Sequence, residues 1–341
     1  MKFSTFTCLC AALAALSCAC GPGQRACPPA NTDIVLPGDE SPHANDMEWW
    51  YYTGHLWTAS GRRYGFELSF FQTFANNQVG YVGHFAVSDP QAGEHTYSQK
   101  IQAPPDIFPS FDIDIDDWNI HREGDSHRLR ADMENFAIDL ELVPQKPVVY
   151  HGKRGVIEMG GNMQSYYYSM TRMQVSGIMK VDGLDEAVTG LAWHDHQWGD
   201  FDAFASDGWD WFSLQLDDQT EVMIFVLHFK DQGPTLTGGT FVDADGCAST
   251  FDSFEARPIG EWTSPHTGGV YPMNWNLSIP SVGLDLLLTA TVDDQEMDCR
   301  ATTLNTYWEG EIEITGTRRG IDVGGLGYVE LAGYGPWGPQ G

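Results

Sequence analysis

Basic residues are scarce in this chain. Eighteen Lys and Arg stand against 47 Asp and Glu, a formal net charge of -29, and such a surface repels phosphate backbones and anionic lipid head groups. Nucleic acid is therefore a poor partner. Only six residues are Lys, which argues against long helices built on Lys/Glu pairs, and no segment shows a convincing helical period. Cysteine is almost missing from the folded region. Five of the seven lie at or before Cys27, leaving Cys247 and Cys299, for which a disulfide and two buried thiols are equally open readings. Zinc-type Cys pairs are absent there. So are a Gly-x-Ser-x-Gly elbow, a phosphate-binding Gly loop and a redox Cys pair, which disfavours ordinary acyl or phosphoryl transfer. No membrane-length apolar run follows the N-terminus.

The first twenty residues read as an address. Met1-Lys2 supplies a basic start, Phe3 to Leu16 is mostly apolar or small, and Ser17-Cys18-Ala19-Cys20 offers small residues where a signal peptidase cuts. This predicts a bacterial export signal. Plain secretion and acylation at Cys18 or Cys20 both remain open, and the second would place the protein on a membrane surface in the periplasm or cell envelope. Residues 21–46, rich in Pro, Gly, Asn and Asp, predict a flexible arm lying on the surface.

Aromatics make up 13% of the chain and glycines number 37, a composition that favours strands joined by tight turns. Period-two alternation supports this. Tyr64, Phe66, Leu68 and Phe70 share one face against Gly65, Glu67 and Ser69, and Phe136, Ile138, Leu140 and Leu142 oppose Ala137, Asp139 and Glu141. Both patterns predict half-buried strands. Similar runs recur at Phe212 to Leu216, Leu284 to Val292 and Ile312 to Ile314, separated by Asp-Gly pairs such as Asp182-Gly183. Val222 to Phe229 is apolar except for His228, as expected of a strand buried on both faces. The acidic run Asp112 to Asp117 lacks a Gly-centred calcium loop and reads as a solvated strand or turn. The expected fold is all-β, with two antiparallel barrels covering 47–200 and 201–341.

Three clusters mix aromatics with titratable groups: Glu48-Trp49-Trp50-Tyr51-Tyr52, Ser165-Tyr166-Tyr167-Tyr168-Ser169 with Arg172, and Trp193-His194-Asp195-His196-Gln197-Trp198. A pocket of this kind encloses an apolar molecule while offering a proton donor or acceptor. Trp or Tyr faces would stabilise the cation made by protonating an alkene. Strand parity puts His194, His196 and Trp198 on one face, and Trp193, Asp195 and Gln197 on the other. Glu48 is expected to pair with Arg172 or a nearby arginine. A metal at His194 and His196, completed by Asp200 or Asp202, is a minor alternative; no metal or cofactor is otherwise expected.

Taken in order, Glu48-Trp49-Trp50-Tyr51-Tyr52-Thr53-Gly54-His55-Leu56, Tyr167-Tyr168-Ser169 with Arg172, Asp195-His196-Gln197-Trp198-Gly199, Tyr307-Trp308-Glu309-Gly310 and Gly327 to Tyr334 resemble the AttH-like and carotenoid hydratase family. These motifs run from residue 48 to 334, nearly the whole mature chain. The resemblance implies tandem lipocalin-like barrels. It implies hydration of apolar polyenes in some members and pericyclic cyclisation in similar fungal folds, while many members have no assigned reaction. Its His-x-Trp element corresponds to His196 and Trp198, and Asp210, within Trp209-Asp210-Trp211, matches the carboxylic proton donor.

The expected function is cofactor-free acid/base chemistry, hydration or isomerisation, on a hydrophobic unsaturated small molecule such as an isoprenoid, carotenoid or polyketide-like compound. Asp195 or Asp210 would donate the proton, His196 would orient the acid or water, and Trp198, Trp209, Tyr168 and Trp50 would form the wall. The rival is a non-catalytic lipophile carrier of the envelope using the same cavity. No protein partner is implied.

Overall fold

The computed structural model describes residues 27–28, 30–202, 205–229 and 235–339; the expected export signal and its acylation sites lie outside them. Alternating residues build the first sheet from β1 (Met47–Thr58), β2 (Arg63–Ala75), β3 (Gln78–Asp89), β4 (Glu94–Gln102), β5 (Asp112–Ile115), β6 (Trp118–Glu123), β7 (Ser126–Asp132), β8 (Phe136–Pro144), β9 (Val149–Tyr150), β10 (Val156–Gly160), β11 (Met163–Val181) and β12 (Leu184–Gly199). The second sheet holds β13 (Gly208–Leu216), β14 (Glu221–His228), β15 (Leu236–Val242), β16 (Ala248–Phe251), β17 (Glu255–Thr263), β18 (Val270–Ile279), β19 (Leu284–Ala290), β20 (Glu296–Asp298), β21 (Asn305–Arg318) and β22 (Ile321–Trp337).

Both sheets follow one plan. Their orders are β4-β3-β2-β1-β12-β11-β8-β7-β6-β5 and β16-β15-β14-β13-β22-β21-β19-β18-β17. In each, four strands meander outward and the last long strand returns beside the first. Each sheet curls around its own apolar core, as a lipocalin-like barrel does. The first closes through side chains: Lys100 of β4 pairs with Asp117 and lies over the Trp118 ring, and Gln102 accepts the Asp116 N–H at 2.9 Å. The Asp182-Gly183 pair forms the β11–β12 hairpin with both residues at positive φ. In β5, Ile113 and Ile115 are buried while Asp112 and Asp114 are exposed, so the acidic run is a solvated strand edge.

The barrels pack face to face through β12, β1 and β2 on one side and β13, β22 and β21 on the other. Contact is close: a Cβ on Gly65 would lie 2.5 Å from Tyr328 Oη. This corrects the half-buried reading of β2. Glu67 and Ser69 are 1% exposed, because the polar face of the strand is covered by the second barrel rather than by water. Tyr51, Trp193, Trp211 and Tyr328 cluster there. Around them, His55 Nδ1 lies 2.9 Å from Glu311 Oε1, and Gln215 donates to the carbonyls of Thr171 and Ala192 at 2.8 and 3.0 Å.

Over the described residues 30–46 the N-terminal arm is docked on the first barrel. Ile34 enters the first core, Trp50 Nε1 donates to the Glu40 carbonyl at 2.9 Å, and Arg122 grips both Glu40 oxygens at 2.6 and 2.7 Å. Composition allowed a tether or an arm lying on the surface, and these few anchors hold the described part across the barrel end. Cys27 is disulfide-bonded to Cys247 and Cys299 is a free buried thiol, so Cys247 and Cys299 are not a pair. Cys247→Ser is expected to lower the unfolding free energy by about 2–4 kcal/mol, read from the urea midpoint. An unchanged midpoint would mean that the bridge does not support the fold.

Candidate active site

Strand parity sends the residues of β12 in two directions. His194, His196 and Trp198 enter the first barrel, whereas Trp193, Asp195 and Gln197 face the second. His196 therefore sits among Trp50, Tyr168 and Trp198, with ring centroids at 4.8, 5.2 and 4.6 Å. Its Nε2 lies 2.7 Å from Glu48 Oε1, which also meets His43 Nδ1 at 2.8 Å. The other Glu48 oxygen accepts the His43 backbone N–H at 2.6 Å. Glu48 thus pairs with histidines, and not with Arg172, which is held by Glu221. Burial lowers the pKa of His196 despite Glu48; in His43 burial is the largest single influence, yet the hydrogen bond and charge of Glu48 together with Asp39 outweigh it and raise the pKa.

His43, Glu48 and His196 present ligand atoms within 4.8 Å of one another and could hold a metal ion. The pairing of His194 and His196 with Asp200 or Asp202 is not assembled. His194 Nδ1 faces the Tyr51 carbonyl at 3.1 Å, Asp200 accepts from Asn45 and the Asp46 N–H, and Asp202 lines the cleft between the barrels.

Asp210 lies apart from both groups. On β13 it shares parity with Phe212 and Leu214, which belong to the second core. It accepts from Tyr334 Oη at 2.8 Å and lies 3.1 Å from His228 Nε2. The structure therefore does not bring Asp195, His196 and Asp210 together. Among the expected wall residues, Trp209 lines the cleft with Asp195, while Trp50, Tyr168 and Trp198 line the interior of the first barrel.

The cleft between the barrels encloses about 170 Å³. Trp49, Trp209, Trp211, Phe71 and Phe225 supply apolar wall, and Asp195, Glu309 and Glu330 bring carboxyl groups to it. Asp195 is 3% exposed and receives bonds from Tyr167 Oη, Ser169 Oγ and, at 2.6 Å, Trp193 Nε1. Burial outweighs these donors and pushes its pKa up to about 7. Behind it, His151 Nε2 lies 2.6 Å from Ser169 Oγ and His151 Nδ1 lies 2.9 Å from Thr240 Oγ1. Trp211 Nε1 donates to Tyr167 Oη at 3.0 Å. Residues from both barrels therefore fix this carboxyl.

Glu309 and Glu330 line the cleft and Glu67 lies close to them, and none of the three was singled out as a candidate from the sequence. Glu309 on β21 and Glu330 on β22 are direct cross-strand partners, and Glu67 approaches from the first barrel. Desolvation raises Glu330 to about 7, against a bond from Trp209. Burial, then Glu330 and Glu67, push Glu309 well above the carboxylate range, and burial does the same to Glu67. Tyr51 Oη donates to Glu309 Oε1 at 2.6 Å, while Glu309 Oε2 and Glu67 Oε2 are buried without a partner among the described residues. His84, also on the wall, is driven down to about 3 by burial and is neutral.

Two lipocalin-like barrels with an acid-rich aromatic cleft between them define the class. The chain belongs to the AttH-like family, whose model matches residues 27–334. An AttH-family structure from Nitrosomonas europaea is 34% identical, covers 92% of this chain and 98% of its own, and superposes with a TM-score of 0.79. A kievitone hydratase of Fusarium solani subsp. phaseoli is 26% identical over 220 residues, 62% of this chain; the match spans 60% of that protein's length. The kievitone hydratase structure from Nectria haematococca shares the fold at 20% identity and a TM-score of 0.74, covering 91% of this chain and 98% of that one.

Proposed function

We propose that this protein is an exported enzyme that takes a hydrophobic, unsaturated small molecule into the inter-barrel cleft and performs acid/base chemistry on it without a cofactor. Hydration or isomerisation is the reaction class. The observation that carries this reading is Asp195, a buried carboxyl titrating near 7 on the wall of an aromatic cleft. Likeness to a hydratase supports the reaction class, and the Cys27–Cys247 disulfide suits an oxidising compartment.

The chemistry needs only groups already present, together with water. A cleft carboxyl gives its proton to an alkene carbon; the C–H bond forms from the π electrons and leaves a carbocation facing Trp209 or Trp211. Water then adds and loses a proton to a cleft carboxylate, or a neighbouring carbon loses one and the double bond moves. Burial allows Asp195 to be protonated or ionised near neutral pH, as such cycling requires.

The test is mass spectrometry of small molecules retained by the purified protein, followed by incubation of the identified compound with fresh enzyme in isotopically labelled water. Product carrying the label is expected. Recovery of a single, unchanged compound would instead make the protein a carrier.

A further inference from the structure

Resting on the reading of the cleft as the ligand site, its wall also indicates which ligands it accepts. Among the described residues no Lys or Arg lines it. Its titratable side chains are Asp195, Asp202, Glu309, Glu330, a neutral His84 and tyrosines. An anionic head group buried there would lose its water and meet no cation among the described residues, which disfavours its binding. The chain's charge of -29 adds long-range repulsion.

Glu309 provides the complementary contact. Its Oε1 accepts from the Tyr51 hydroxyl at 2.6 Å, and burial holds the acid well above the carboxylate range. Oε2 is buried and has no partner among the described residues, on a side chain that lines the cleft. A buried polar atom in that position calls for a hydrogen-bonding partner from the ligand. Size narrows the choice further: about 170 Å³ is close to the cavity of about 150 Å³ that holds benzene. The enclosed part is thus one ring or a short prenyl unit, and a longer molecule would extend toward Asp202, Thr303 and Trp337 at the rim.

We propose that the cleft selects uncharged, oxygen-bearing prenyl-sized molecules over carboxylates, and that Glu309 Oε2 makes the hydrogen bond that holds the oxygen-bearing group of the ligand. Geraniol and geranate share one isoprenoid skeleton and differ in head-group charge, so they isolate the effect. Quenching of tryptophan emission, with Trp49, Trp209 and Trp211 on the wall, reports binding at pH 8. Geraniol should bind at least about tenfold more tightly than geranate. Glu309→Gln, which keeps a donor amide, should bind geraniol within about threefold of wild type, and Glu309→Leu about tenfold more weakly. Infrared spectra of the wild-type protein, needing no variant, should show a protonated-carboxyl stretch that shifts when geraniol is added. Equal affinity for the two compounds, no binding of geraniol, unchanged affinity in a folded Glu309→Leu variant, or a carboxyl stretch indifferent to geraniol would each overturn the proposal. None of these outcomes decides the catalytic reading, which stands or falls on conversion of the retained compound.

Discussion

Asp195→Asn is expected to lower turnover of the cognate compound by about 10²–10⁴-fold with little change in its binding. The amide preserves the shape of the carboxyl and still accepts from Tyr167 or Ser169, but it cannot cycle a proton. The same variant has a stability signature. Folding raises the Asp195 pKa from the usual carboxylate value to about 7, so the folded state prefers the protonated form. Above that usual value the unfolded chain ionises first and stability is lost progressively, until the folded pKa is passed. Relative to wild type, Asp195→Asn should therefore gain about 4 kcal/mol between pH 4 and 8. Wild-type stability alone would mislead, because His84, His95 and His151, each lowered to about 3 by burial, act in the opposite direction. Urea midpoints of both proteins across this range give the difference directly. A constant difference, or full turnover by the variant, would remove Asp195 from the chemistry.

Strand parity made part of this legible in the sequence and concealed the rest. Alternation around His194 to Trp198 separates Asp195 from His196, and the structure sends one to the cleft and the other into the first barrel. The same parity, counted from Phe212 and Leu214, places Asp210 toward the second core. Period two defines two faces of a strand without saying what covers the polar one. Glu67 opposite Phe66 and Leu68 looks like a solvent face, as does Glu309 followed by Glu311 and Glu313, yet Glu67, Glu309 and Glu311 are all buried where the barrels meet. Both Glu309 and Glu330 stand in the motifs that carry the family resemblance. Their meaning depends on which strands face each other across a separation of 242 residues, from Glu67 to Glu309, and local pattern cannot contain that.

His196→Ala should separate packing from catalysis in the opposite sense. His196 and Glu48 are both fully buried and meet at 2.7 Å. Removing the imidazole deprives a buried carboxyl of one of its two histidines and opens a void beside Trp50 and Tyr168, so the unfolding free energy should fall by about 3–5 kcal/mol. Turnover by the protein that stays folded should change only a few-fold, because the side chain does not reach the cleft. Glu48→Gln combined with His196→Ala should cost less than the sum of the two single changes, since they remove the same interaction. Chemical unfolding with parallel kinetics distinguishes the outcomes. A loss of kcat comparable to that of Asp195→Asn, at unchanged stability, would move the reacting site from the cleft to the interior of the first barrel, where Trp198 and Tyr168 would be the walls.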